Sequence, residues 1–244
     1  MPVKLRLHTI DATRGVLALI VVASHVGRSV LLDRAADIAV AMFFVMSGYV
    51  LALGYDGQFW RFQARRQVRL WPVYAVCIGA AYAVRGQVVP MRDLIWWPVT
   101  LDPHAMADGP AWSLYAEVWA TPVLPVLFWL ARRGQIAAVT MVAVTAGLMR
   151  MFPWVFPVLF MAAGVAASTF PLRLPQDVPA PLLWLGRVSY SLYLSHAVVL
   201  AALGPLGVVL VLPVAWALWW AVERPSILWS RRVGPALLPA RAKA

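Results

Sequence analysis

Long apolar runs alternate with short polar breaks along the chain. A helix that crosses a bilayer needs about 20 mostly apolar residues, because about 30 Å of hydrocarbon is covered at about 1.5 Å per residue. Eight runs approach that length, at 13–32, 36–54, 70–84, 111–131, 135–149, 153–170, 182–203 and 205–222. The fifth is short, boxed between Arg133 and Arg150, and spans if those arginines snorkel to the interface or the bilayer thins. The stretch Leu94–Leu101, with Trp96, Trp97 and Pro98, is too short to cross and reads as interfacial or re-entrant. The pattern thus predicts an all-α, polytopic transmembrane helix bundle of about eight spanning helices. The first run lacks a small-residue cleavage site, so it is expected to remain as a span. Residues 1–232 read as a single transmembrane domain and 233–244 as a basic tail, with no internal repeat between them.

Composition agrees with that pattern. Apolar types make up 62% of the 244 residues and charged types 13%, against about 45–50% and about 25% in soluble domains. Cys77 alone supports neither a disulfide framework nor a Cys/His metal cluster. The net charge of +11 could suggest nucleic acid, but the positive residues are scattered between apolar runs, with no long basic helix or aromatic recognition motif. Nucleic acid is therefore not an expected partner; the lipid bilayer is. With the N-terminus inside, Arg28, Arg34, Arg85, Arg92 and Arg150 face outward and the other 16 of 21 basic residues face inward. That bias predicts both termini in the cytoplasm, as an even number of spans requires.

Ionisable groups inside a membrane cost several kcal/mol, so each is a functional candidate. Arg14 and His25 are eleven residues apart on the first span. That spacing puts them on one helix face, about 16 Å apart along the axis. Arg14 then lies near the cytoplasmic boundary and His25 past the midplane. A snorkelling arginine with a hydrogen-bonded packing histidine is the plainer alternative. Ser47-Gly48, in the Phe43–Tyr49 run, reads as a small-residue notch for close helix approach. Arg66 and Arg69, three apart and followed by Pro72 at a helix start or kink, suit a polyanion such as a pyrophosphate, or serve as an ordinary positive-inside cluster. Trp112-Ser113 opens the fourth span, with Glu117 about two turns into the membrane. That carboxyl is expected to be protonated or paired with a cation, and His25, at similar depth, is a candidate partner that it would orient. Ser189, Tyr193 and His196 form one polar stripe that must face the bundle interior or a wet cavity. Whether it is catalytic or interhelical glue stays open. Glu223-Arg224-Pro225 reads as a charged stop at the inner interface, and His8 and His104 as terminal or loop residues without a role.

Taken in order, these pieces resemble the membrane acyltransferase-3 family, which contains many O-acetyltransferases of bacterial cell-surface carbohydrates. The likeness is carried by Ile10-Asp11-Ala12-Thr13-Arg14-Gly15 leading to His25, by Phe43-Phe44 with Ser47-Gly48, and by Arg66-x-x-Arg69 with Pro72. It continues with Trp112-Ser113-Leu114-x-x-Glu117, Ser189 through Leu194 with His196, and Glu223-x-Pro225. Family members usually have about ten spans, two more than this chain supplies by pattern. The resemblance implies transfer of an acyl group, usually acetyl, from cytoplasmic acyl-CoA to a hydroxyl of a carbohydrate or glycolipid acceptor at the bacterial inner membrane. It implies essential roles for Arg14 and His25 and a functional role for Arg66 and Arg69.

The chemistry of the residues fits that implication. Arg14, Arg66 and Arg69 would meet the phosphates of acetyl-CoA, which acts as co-substrate, and no metal is expected. His25 would serve as general base toward the acceptor hydroxyl or carry the acyl group itself, with Glu117 orienting it. Trp112, Ser113, Tyr193 and His196 would line the acceptor passage. Two other functions remain open on residues alone: a proton-coupled transporter or flippase of a polar substrate, and a non-catalytic partner subunit of a polysaccharide export system.

Overall fold

The computed structural model describes residues 7–27, 29–95, 109–152 and 155–233. Every regular element among them is helical. These are α1 (His8–Gly27), α2 (Val30–Gly54), α3 (Phe59–Val84), α4 (Met91–Ile95) and α5 (Ala111–Ala120). A 3-10 turn, Thr121–Val123, joins α5 to α6 (Leu124–Ala131), and α7 (Gln135–Met151), α8 (Phe156–Ala167) and α9 (Ala180–Leu203) follow. Finally α10 (Pro205–Leu218) runs through a π-helical turn, Trp219–Glu223, into α11 (Arg224–Arg232). Most of the Leu94–Leu101 segment, His104 and the basic tail from 234 onward lie outside the described residues.

All eight apolar runs fold as helix, but their limits and spanning capacity differ from the pattern. The first two runs shift toward the N-terminus: α1 ends at Gly27, and Ser29 caps α2 by accepting from the Leu32 N–H. Only four helical segments combine the length and hydropathy needed to cross a membrane: His8–Gly27, Val30–Gly54, Ala111–Ala131 and Pro205–Arg232. The expected eight therefore reduce to four among the described residues. α7 and α8 are short, at 17 and 12 residues. α3 is long enough at 26 residues, but Arg61, Arg65, Arg66 and Arg69 lower its hydropathy.

The third run also starts earlier than the pattern suggested. Pro72 sits inside α3 rather than at its start. Proline removes an N–H and crowds the preceding turn, which is tolerated in membrane helices where neighbours satisfy the loosened backbone. Here the Arg69 carbonyl accepts from Ser226 Oγ at 3.0 Å and the Leu70 carbonyl from the Tyr190 hydroxyl at 2.8 Å. α9 and α11 thus stitch the proline turn from two sides.

Glycines set the closest helix crossings. A Cβ at Gly48 or Gly164 would overlap backbone of the facing helix, which locks α2 against α8. A Cβ on Gly15 would lie 2.7 Å from the Gly186 nitrogen, and one on Gly186 would overlap the Asp11 carbonyl. This second crossing registers α1 against α9. Ten residues beyond it on each helix, His25 meets His196, with ring centroids 4.8 Å apart. Equal spacing in the same chain direction means that α1 and α9 run parallel. Gly186→Val is expected to separate them: its side chain meets backbone, which has no rotamer to yield. The variant should lose about 1–3 kcal/mol of stability, read as a lower melting temperature in detergent; an unchanged transition would refute the crossing.

Candidate active site

Four helices bring the polar residues to one interior space. Arg14 of α1, Ser47 of α2, Ser113 and Glu117 of α5, and Ser189, Tyr190 and Tyr193 of α9 line a narrow cavity of about 50 Å³. Val40, Phe43, Phe44 and Leu114 supply its apolar wall. The volume suits one or two waters and no more.

One end of the cavity is charged. Glu117 Oε1 accepts from Ser47 Oγ at 2.5 Å and lies 2.5 Å from Nη2 of Arg66 on α3. Arg66 is buried, at 9% exposure. Glu117 is thus paired with a cation, as its depth requires, but the cation is Arg66. The expected Glu117–His25 pairing is corrected here. Glu117 shares the cavity with Arg14, and Arg14 is about 16 Å along α1 from His25. Four residues of α5 carry the carboxylate from the level of Ser113 down to the arginines.

Arg69 has a different setting from Arg66. Its side chain is exposed, and it stands within electrostatic reach of Arg14, Arg66 and Glu223. Glu223 is not the interfacial stop its sequence context suggested. The π-helical turn swings it inward to 3% exposure, where it accepts from Ser191 Oγ at 2.6 Å and from the Ser191 N–H at 3.3 Å. π-turns inside α-helices recur at functional positions. Three guanidiniums therefore face two carboxylates, and Arg14 makes no ion pair among the described residues. The net positive charge favours an anionic group at this end.

The other end is closed by a hydrogen bond. Ser113 Oγ and the Tyr193 hydroxyl are 2.8 Å apart, and the Tyr193 ring stands edge-on to Phe43 with centroids 5.5 Å apart. Beyond this wall lies the histidine pair. His25 sits in the last turn of α1, exposed, with Nδ1 2.9 Å from the Val21 carbonyl and 3.3 Å from Ser24 Oγ. His196 is fully buried at 0% exposure, with Nδ1 2.6 Å from the Tyr193 carbonyl. Neither histidine lines the cavity. In this conformation no continuous passage joins the arginines to His25 among the described residues. Trp112 packs against Phe156 at 5.9 Å and does not line the cavity either.

Of the residues singled out by sequence, Arg14, Arg66, Glu117, Ser113 and Tyr193 converge on one space, and His25 with His196 form a second cluster behind its wall. Ser47 and Glu223 were missed as functional residues. The first looked like a packing notch and the second like a helix stop. The signal for Glu223 was present: a carboxylate at the end of an apolar run, next to a proline at 225, in a chain with few acidic residues.

A buried arginine–carboxylate pair, a surplus guanidinium and two contacting imidazoles within one helical bundle define a membrane protein with an intramembrane polar site. Its family follows from comparison. Residues 7–156 match the acyltransferase-3 family, described as an acyltransferase domain, and the chain belongs to that family of membrane acyltransferases. A protein of Rhizobium radiobacter named "Protein 2 in picA locus" is 30% identical over 172 aligned residues, covering 56% of this chain and 89% of that protein. No solved structure matches the chain. The matched region carries Arg14, His25, Ser47, Arg66, Arg69, Ser113 and Glu117. The α9 stripe and Glu223 lie beyond it.

Proposed function

We propose that the protein is an O-acyltransferase that moves an acetyl group from cytoplasmic acetyl-CoA to a hydroxyl of a carbohydrate or glycolipid at the bacterial inner membrane. The observation that carries this reading is the arrangement of one narrow cavity between an arginine end and a histidine end, on the helices that carry the family match. Arg14 and Arg69 are the anion-binding groups for the donor's phosphates, because neither is neutralised by an ion pair among the described residues. Arg66 serves a different purpose: it holds Glu117. A short acyl group suits so small a cavity better than a long chain does. For the thioester to reach His25, the Ser113–Tyr193 hydrogen bond must part and Tyr193 must swing from Phe43.

In the reaction His25 removes the acceptor proton as the hydroxyl oxygen attacks the thioester carbon. The developing oxyanion needs donors, and the Ser113 and Tyr193 hydroxyls, freed from each other, are the candidates. The carbon–sulfur bond then breaks and the thiolate sulfur takes a proton.

The test uses membranes from cells with and without the chain, incubated with acetyl-CoA labelled in the acetyl group. Alkali-labile label entering the glycan or glycolipid fraction only when the chain is present is the expected result. Equal labelling in both membranes overturns the proposal. Arg69→Ala is expected to raise the apparent KM for acetyl-CoA about tenfold, the loss of about 1.4 kcal/mol, with Vmax nearly unchanged. An unaltered KM removes Arg69 from donor binding.

A further inference from the structure

We propose that His196 acts behind His25 as a second imidazole base, taking up the acceptor proton that His25 removes and holding it until the thiolate leaves. This rests on the acyl-transfer reading above and adds a residue to it. The two rings meet edge to face, with centroids 4.8 Å apart and planes at 75°. Each Nδ1 faces a backbone carbonyl, Val21 for His25 and Tyr193 for His196. A carbonyl only accepts, so each Nδ1 carries the hydrogen. In the neutral rings both Nε2 atoms are then lone-pair bases.

The His196 Nε2 is buried and has no hydrogen-bond partner among the described residues. Leaving such an atom unsatisfied costs about 1–3 kcal/mol. An apolar residue of similar size would pack there without that cost, and a structural histidine would use both nitrogens. No carboxylate contacts either ring among the described residues, since Glu117 is held by Arg66 and Ser47. His196 thus occupies the place beside the base that a carboxylate takes elsewhere. Lone pair beside lone pair makes no bond, but one added proton has two nitrogens to share it.

The step balances as follows. The acceptor O–H bond breaks while its oxygen bonds to the acyl carbon. The proton goes to His25 Nε2 and is shared with His196 Nε2. The carbon–sulfur bond breaks, and the thiolate receives that proton. Alcohol and thioester have become ester and thiol.

The experiment uses the full chain in membranes with acetyl-CoA as probe, in the labelling assay above. His196→Asn keeps an N–H where Nδ1 lies but has no atom where Nε2 lies. His196→Phe keeps the ring and loses both nitrogens. Both are expected to lower Vmax about 100-fold or more, within the range for loss of a positioned base, with the KM for acetyl-CoA unchanged within twofold. If His196 only holds the Tyr193 carbonyl, the asparagine variant restores turnover to within about threefold of wild type, and the proposal falls. Should wild-type membranes transfer nothing, the acyl-transfer reading itself fails, which is a separate result. Nitrogen-15 spectra of the histidine-labelled wild-type protein decide the matter if neither variant folds, with signals assigned by substitution of His8, His25 and His104. A lone-pair Nε2 on both rings supports the pair; a hydrogen on the His196 Nε2 overturns it.

Discussion

Alanine at His25 is expected to reduce acetyl transfer by about 10²–10⁴-fold, the usual worth of a positioned general base. Folding should survive. The ring is exposed, and apart from its edge contact with His196 its polar contacts lie within its own helix. Little packing is lost when it is truncated. The measurement is label transfer at saturating acetyl-CoA, with protein amount and melting temperature recorded for the same membranes. Because the donor's phosphates bind about 16 Å away along α1, the KM for acetyl-CoA should stay within twofold. Wild-type turnover in this variant would exclude His25 both as base and as acyl carrier.

Glu117→Leu is expected to have the largest effect on stability. Its carboxylate is the counterion of a guanidinium with 9% exposure. Removing one partner of a buried ion pair leaves the other charge uncompensated, at a cost of about 3–5 kcal/mol. Replacing both partners by apolar residues of similar size costs far less. The double variant Glu117→Leu with Arg66→Met should therefore regain most of the stability lost in the single one, as neighbouring sites couple. Thermal unfolding in detergent reads both. A single variant as stable as wild type would mean that the pair is not buried in the folded protein. The double variant should still bind donor through Arg14 and Arg69, which separates the holding role of Arg66 from donor binding.

The two ends of the site differ in how far the chain itself revealed them. Arg14 and His25 are legible because one helix carries both, and helical spacing alone puts them on one face. The Ser189–Tyr193–His196 stripe is legible for the same reason. What lay between helices was not. Glu117 and His25 looked alike in depth, and residue spacing within α5 and α1 contains nothing about how far one helix slides along the other. The slide is set by close backbone contacts, such as Gly15 on Gly186 and Gly48 on α8. Those contacts deliver Glu117 to Arg66 and His25 to His196.

Helix limits show the same division. Pro72 as a likely boundary is a sound local rule, and it failed because Ser226 and Tyr190, remote in sequence, satisfy carbonyls beside it. Glu223 was misplaced because a π-helical turn rotates the chain by part of a turn, and no composition rule reports where such a turn falls.

By itself, then, the sequence determined that this is a helical membrane protein with ionisable groups in costly positions, since hydropathy and helical period are properties of neighbouring residues. Tertiary structure alone decided which charge neutralises which, which imidazole stands beside His25, and where the cavity closes. Those outcomes depend on distances between helices, and such distances follow from backbone packing across crossings that join residues more than a hundred positions apart.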